Sequence, residues 1–181
     1  MIESAVRLQR RHGVAGTAFA DVLADSGAPR GSVYHHFPGG RAQLSELATR
    51  RSAEAVAENL EAWLADDVMR ALDGLLPRWT HIMTEDEHYL SGCTVAAGAL
   101  DPAPDSAART AAAEGLHHWE DLLASALETH VGDERARGLA VTCLAAIEGA
   151  LIFVRAERSL RPLELVGEQL RALFHSALGA A

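Results

Sequence analysis

Apolar residues recur three and four positions apart along almost all of this 181-residue chain. The first such stripe consists of Ile2, Ala5, Val6 and Leu8, and it stops before Gly13. Spacings of three and four place side chains on one face of an α-helix, whereas the sustained alternation of a half-buried strand is missing from the sequence. The pattern therefore predicts an all-α protein.

Turn-forming residues divide this pattern into about nine helices, three short ones followed by about six longer ones. Thr17 is placed to cap the second helix, Gly27 ends it, and residues 30–37 form the third. Pro77 is expected to kink one of the longer helices, and residues 84–91 are predicted to form a loop. The longer helices are predicted at about 41–64, 66–83, 93–100, 105–131, 133–158 and 162–178.

Charge is distributed unevenly along the chain. Residues 1–50 contain six arginines and four acidic residues, whereas residues 51–181 contain ten arginines and 21 acidic residues. The net charge of −9 argues against wholesale coating of nucleic acid or of an anionic membrane. A mildly basic head on an acidic body instead predicts that any polyanion is bound by the head alone.

The head has the spacing of a helix-turn-helix, with a helix of about eight residues, a turn containing Gly27 and a second short helix. In such a unit the second helix enters the major groove, where Arg can bond bidentately to guanine and Ser, Tyr and His suit phosphates or single base edges. Helix starts also favour phosphate. The residues predicted to contact DNA are Thr17, Arg30, Gly31, Ser32, Tyr34, His35, His36 and Arg41.

Residues 17–44, which include the stretch GAPRGSVYHHFPGG, resemble the helix-turn-helix of the TetR family of bacterial transcription regulators. Residues 91–101, 117–127 and 145–170 resemble the LmrA/YxaF-type branch of that family. The resemblance implies a homodimer whose two heads read a palindromic operator in double-stranded DNA. It also implies a C-terminal bundle that dimerises and encloses a site for a small-molecule effector.

On this basis the chain divides into a helix-turn-helix DNA-binding domain, residues 1–46, and a ligand-binding and dimerisation domain, residues 47–181. The resemblance places Arg30 to His36 on the recognition helix, Thr17 on a phosphate contact and Arg41 on a position usually held by a basic residue. One residue departs from the family pattern. Gln9 stands late in the first helix, where an aromatic or apolar residue is common.

Bulky apolar residues on the inward stripes of several helices are candidates for the effector site. Ordinary core residues have the same spacing, so this pattern fits either role. Tryptophans and a methionine can stack on a flat ligand, and the resemblance also points to planar aromatic or drug-like effectors. The candidates are Trp63, Trp79, Met83, Trp119, Leu123 and Ile147, with His81, His88, Thr94 and His117 as polar groups that could orient a ligand.

The last two helices are expected to form the dimer interface, as a four-helix bundle with the same helices of a second chain. Their apolar stripes fit either a core or an interface. Those stripes contain Leu139, Cys143 and Ile147 in one helix and Leu163, Leu170 and Phe174 in the other.

Several other function classes are not supported by the sequence. It contains no nucleophile with a base, carboxylate pair or phosphate loop, so no enzymatic activity is expected. No cofactor or metal is expected either, because the adjacent His117 and His118 diverge by about 100° on a helix. The apolar run 138–154 is short for a membrane span and contains Glu148, which predicts a buried helix and no membrane partner.

Cysteine usage indicates the compartment. Cys93 and Cys143 are fifty residues apart and form neither a disulfide framework nor a paired metal site. They predict a reducing, cytoplasmic environment. A redox sensor would need a basic cluster beside a thiol, so two inert buried thiols are expected.

Two functions therefore compete. The first is a ligand-responsive DNA-binding regulator, expected to be a repressor. The second is an all-α small-molecule-binding or protein-interaction module whose helix-turn-helix is only structural. Affinity for DNA that falls steeply with salt would favour the first.

Overall fold

The computed structural model describes residues 1–29, 31 and 35–179, and these residues form helices, turns and loops but no strand. This confirms the prediction of an all-α protein. The helices described are α1 (Ile2–His12), α2 (Phe19–Ser26), α3 (Gly40–Leu64), α4 (Val68–His81), α5 (Thr94–Ala99), α6 (Ala107–Val131), α7 (Asp133–Glu157) and α8 (Arg161–Leu178).

The helices fall into two compact units. The first unit comprises Met1–Ala55 and Gly92–Leu116, and the second comprises Val56–Ser91 and His117–Ala181. The first unit therefore contains the head together with α5 and the beginning of α6. The boundary predicted at residue 46 separates a DNA-binding function from a ligand-binding and dimerisation function. These compact units do not test it, and it stays a prediction.

The core of the first unit is small and formed by the first three helices. Glycines end the two short ones, since Gly13 and Gly27 have φ angles of 74° and 66°, a region that L side chains rarely adopt. The ring centroids of Phe19 and Phe37 lie 6.4 Å apart at its edge. The buried residues of this core are Ala5, Val6, Val22, Phe37, Leu44 and Ala48.

Within the first unit, α6 approaches α3 very closely. A Cβ atom added to the buried Gly115 would lie 2.6 Å from the Cβ atom of Ala53. Only glycine fits this approach, because such a distance is well inside van der Waals contact.

The second unit is built around α8, which packs against α7 and α4. Asp67 caps α4, since its side chain accepts a hydrogen bond from the Arg70 backbone N–H over 2.9 Å. Pro162 lies in the first turn of α8, where its missing N–H leaves no helical bond unmade. The core includes Leu72, Leu75, Trp79, Trp119, Leu127 and Phe174.

Two local predictions are wrong. Thr17 does not cap α2, because that helix begins at Phe19 and Ala18 is the N-cap residue, so Thr17 lies one position too early. Its hydroxyl instead donates to the Gly13 carbonyl over 2.8 Å. Residues 84–91 are not wholly a loop either: α4 continues past Pro77 and widens into a π-helical turn, Ile82–Asp86.

Candidate nucleic-acid interface

The described part of the head has the geometry of a helix-turn-helix. After α2 the chain turns at Gly27, where the Ser26 hydroxyl accepts a hydrogen bond from the Ala28 backbone N–H over 3.3 Å. The backbone is helical again at His35 and His36. Both histidines are exposed, and their ring centroids lie 5.1 Å apart in an edge-to-face arrangement. The described end of the second helical segment therefore presents two polar side chains, His35 and His36, to solvent.

The structure places the predicted DNA-contacting residues in different situations. Arg30, Ser32 and Tyr34 lie outside the described residues. Gly31 is exposed, and a Cβ atom added there would have no atom within 4 Å. Together with His35 and His36, Gly31 belongs to an open surface.

Thr17 and Arg41 are already engaged within the head. Thr17 is buried, and its hydroxyl hydrogen is used by the Gly13 carbonyl, so contact with a phosphate would require that bond to be exchanged. Arg41 is exposed and donates one guanidinium nitrogen to the carbonyls of Val14 and Ala15, each at 3.4 Å. The other N–H groups of Arg41 are geometrically suited to a phosphate.

Ion pairs that sequence reasoning missed hold α1 against its neighbours. Arg7 pairs with Asp25 of α2 at 2.5 Å, and Glu3 pairs with Arg51 of α3 at 3.3 Å. A hydrogen bond from Ser4 and the charge and hydrogen bond of Arg7 lower the pKa of Asp25. The partners are far apart in sequence, so no local spacing indicates them.

The six effector-site candidates all belong to the second unit. Five of them are buried, namely Trp79, Met83, Trp119, Leu123 and Ile147. Trp63 is half-buried and packs over α4 at Gly74, where an added Cβ atom would lie 2.3 Å from the indole ring. A buried apolar cluster of this kind fits both a core and a site that opens around a ligand.

A groove lies beside Pro77, and none of the six candidates lines it. This groove of about 400 Å³ runs between α4 and α8, lined by Leu76, Pro77, Thr80, Leu163, Glu164, Glu168 and Arg171. The polar groups considered for ligand orientation are dispersed as well. His81, His88 and His117 are exposed, and Thr94 lies in the first unit, where it donates to the Val6 carbonyl over 3.2 Å.

An open apolar face runs along α7 and α8. Ile152 is 68% exposed and Phe153 is 59% exposed, and Val141, Leu165 and Leu173 are also exposed. By contrast, the apolar stripes that fitted either a core or a dimer interface are buried within one chain. The core residues of these stripes are Leu139, Cys143, Ile147, Leu163, Leu170 and Phe174. We call the residues Val141, Ile152, Phe153, Leu165 and Leu173 the open face.

The middle of α7, residues 138–154, is almost entirely apolar, whereas both ends of the helix are charged. By length and composition the helix would pass as a membrane span, with a mean hydropathy of 1.9 in its most apolar window and 39% of that window buried. Glu148 is half-buried within it. One face of α7 is thus covered by its own chain, and the other is the open face.

Both cysteines are buried free thiols. Burial raises the pKa of the Cys143 thiol from 9.0 to about 12. Because the thiolate is the reactive form, this environment suppresses the reactivity of Cys143. Within the described residues, no group of three His, Cys, Asp or Glu side chains is placed to hold a metal ion.

We expect Cys143 in a Cys93→Ser variant to stay unmodified by a thiol reagent at pH 8 and to react once the protein is unfolded in urea. The raised pKa also has a consequence for stability: the native state keeps the proton that the unfolded thiol loses above pH 9. The contribution of the buried, protonated Cys143 thiol to the free energy of unfolding is therefore fully present below pH 9. It is lost as the pH rises towards about 12. Fast reaction of the native protein would contradict an inert buried thiol.

Comparisons with known proteins agree with this architecture. Residues 68–169 match the family model described as transcriptional regulator LmrA/YxaF-like, C-terminal domain. An HTH-type transcriptional regulator of Mycobacterium tuberculosis strain H37Rv is 36% identical over 187 residues, covering 98% of this chain and 94% of its own. The HTH-type transcriptional regulator LmrA of Bacillus subtilis is 29% identical, covering 90% of this chain and 88% of its own.

A solved structure shows the same fold. The crystal structure of a TetR transcriptional regulator from Legionella pneumophila superposes with a TM-score of 0.84, covering 95% of this chain and 94% of that one, at 18% sequence identity. The likeness extends over both compact units.

Proposed function

Since the chain belongs to the TetR family of helix-turn-helix transcriptional regulators, with an LmrA/YxaF-like C-terminal domain, we propose that it is a homodimeric repressor released from a palindromic operator by a small effector. The observation that carries this proposal is the head itself. A glycine turn joins α2 to a second helical segment that is exposed and polar at His35 and His36. The proposed place of action is the cytoplasm.

The open face supports the proposed homodimer. Monomeric soluble proteins rarely expose contiguous apolar patches, and here Ile152 and Phe153 are exposed next to each other at the end of the apolar middle of α7. A second copy of α7 and α8 would cover both faces with the same residues, as two-fold symmetry requires. The proposed mode of DNA binding requires the two heads of such a dimer to meet successive major grooves about 34–36 Å apart.

Release by an effector follows from linkage. A ligand that binds better to the dimer in which the heads are not spaced for DNA lowers operator affinity, by no more than its differential affinity for the two states. The proposed site is the buried cluster around Trp79, Met83 and Trp119, whose aromatic and thioether groups favour a planar apolar ligand. Opening that cluster requires the ligand to replace the contacts that it breaks.

Arg30→Ala tests whether the proposed recognition helix reads sequence. We expect it to weaken binding to a specific duplex by about 1–3 kcal/mol, because bidentate contact with guanine is lost. Binding to a shuffled duplex should change much less. Anisotropy titrations with both duplexes measure the two effects. The specific duplex is one recovered by selection from a random library.

Arg161→Ala is the matched control for that variant. Arg161 is exposed at the start of α8 and makes only a 4.0 Å pair with Glu157 among the ion pairs described. Its loss removes the same charge without touching the head, so both duplexes should bind as before. Equal weakening of both duplexes by Arg30→Ala would make Arg30 a phosphate contact, and no effect at all would favour a head that is only structural.

A further inference from the structure

A hydrogen bond between two buried polar side chains joins α1 to α3 inside the first unit. Gln9 Nε2 donates to Ser45 Oγ over 3.0 Å, and the two residues are 1% and 3% exposed. Gln9 is the residue that departs from the family pattern. An amide therefore occupies a position between two helices where an apolar side chain would suffice for packing.

This pair is a poor source of stability. Gln9 Oε1 is buried and has no hydrogen-bond partner. An unpaired buried oxygen costs about as much free energy as one hydrogen bond contributes. An apolar side chain of similar size would hold the helices together at least as well. The contribution of Gln9 to the protein therefore lies elsewhere than in the free energy of folding.

What the hydrogen bond adds is direction. Apolar contact is non-directional and tolerates several rotations of one helix on another, whereas one buried polar pair selects a single register. The neighbouring buried Thr49 does not do this, because its hydroxyl donates to the Ser45 carbonyl of its own helix over 2.9 Å. The Glu3–Arg51 ion pair also joins α1 to α3, but both of its side chains are exposed, so the buried Gln9–Ser45 bond is the stronger constraint on how α1 is seated on α3.

The seating of α1 bears on the whole head. Arg7 of α1 pairs with Asp25 of α2, and Val6 shares the core of the unit with Val22. A rotation of α1 on α3 would therefore move α2 with it. The helical residues His35 and His36, which follow the Gly27 turn, would change their orientation as well.

We propose that Gln9 is a positioning residue that fixes the register of α1 on α3 through Ser45, and so fixes the orientation of the helix-turn-helix in the DNA-binding state. The register itself is a property of the first unit. Only the last step, from register to operator affinity, rests on the proposed function.

The register is tested without DNA in Gln9→Met, which removes the amide and keeps the length of the side chain. Nitroxide labels are placed at two exposed positions, His12→Cys on α1 and Glu54→Cys on α3, and labelled chains are diluted with unlabelled ones. The buried native cysteines stay unlabelled. The doubly labelled protein that keeps Gln9 is the reference and should give one narrow distance distribution. The labelled Gln9→Met protein should give a broader or shifted distribution.

Stability separates positioning from a structural role. The Tm of Gln9→Met should stay within about 4 °C of the reference value, since removal of the unpaired Gln9 Oε1 offsets the loss of the hydrogen bond to Ser45 Oγ. Thr49→Val is the control, a buried hydroxyl lost from the same helix without an interhelical bond, and its distance distribution should match the reference. An unchanged distribution in Gln9→Met would overturn the proposal.

Operator affinity is the second readout, measured on a duplex selected from a random library by the reference protein. Gln9→Met and Ser45→Ala should each weaken binding by about tenfold, and the double variant by no more than either, because both remove one interaction. Additive losses would overturn the pairing. Binding by no duplex at all would contradict the proposed function, and the distance measurement would still decide the register.

Discussion

Phe153→Glu is expected to convert the proposed homodimer into monomers. Two-fold symmetry places the substitution at the interface twice, so two apolar contacts are lost and two carboxylates are brought into an apolar environment. The dimer dissociation constant should rise by about 1,000-fold or more, which corresponds to about 4 kcal/mol. Operator binding should be lost with the dimer, since a single head makes half of the contacts. Analytical ultracentrifugation measures the first effect and anisotropy the second.

Leu100→Glu is the matched control for that substitution. Leu100 is 79% exposed, more than Phe153 at 59%, but it follows α5 in the first unit and does not belong to the open face. The same charge at this position should leave the dimer intact. A Phe153→Glu protein that remains dimeric would show that the open face is not the interface, and equal dissociation by both variants would indicate a general effect of charge.

Gly115→Val is expected to lower the free energy of unfolding by about 3 kcal/mol or more. Valine has a better helix propensity than glycine, which would favour the variant by a few tenths of a kcal/mol. Overpacking outweighs this gain, because the first added carbon would already lie 2.6 Å from the Cβ atom of Ala53. The Ala53 Cβ atom has no rotamer that moves it away, so α3 and α6 must separate. Urea unfolding followed by circular dichroism gives the difference.

Gly138→Val provides the comparison with opposite sign. Gly138 lies within α7, and a Cβ atom added there would have no atom of the chain within 4 Å. Its free energy of unfolding should therefore stay within about 0.5 kcal/mol of the reference value or rise slightly. Similar losses at both glycines would contradict this account, because they would show that the contact with Ala53 does not control the effect.

Much of the fold follows from local pattern. Asp67 as a cap, Gly13 and Gly27 as helix ends, and the bounds of the long helices were all predictable, because each depends on residues adjacent in sequence. The misplaced cap at Thr17 and the π-helical turn after α4 show the limit of that approach. A shift of one residue, or one wider turn, depends on packing that periodicity does not encode.

The candidate sites differ in how far sequence reveals them. The spacing around Gly27 indicates a helix-turn-helix because its geometry is local. The effector cluster around Trp79 and Trp119 has the same periodicity as any core, so sequence pattern identifies it only as apolar. The division of α7 between a buried face and the open face likewise depends on packing against α8, since the middle of α7, residues 138–154, is apolar nearly all round in sequence. The Gln9–Ser45 bond joins residues 36 positions apart and has no local signal.

The most direct test of a dimeric, sequence-reading regulator is selection of duplexes from a random library, followed by anisotropy at about 150 mM salt. The account predicts a palindromic consensus with half-sites one helical turn or a multiple of it apart, bound at nanomolar concentration by two chains per duplex. A shuffled duplex should bind far more weakly. Selection that enriches no sequence, with equal and weak binding to every duplex, would contradict the account and leave a ligand-binding or protein-interaction module in its place.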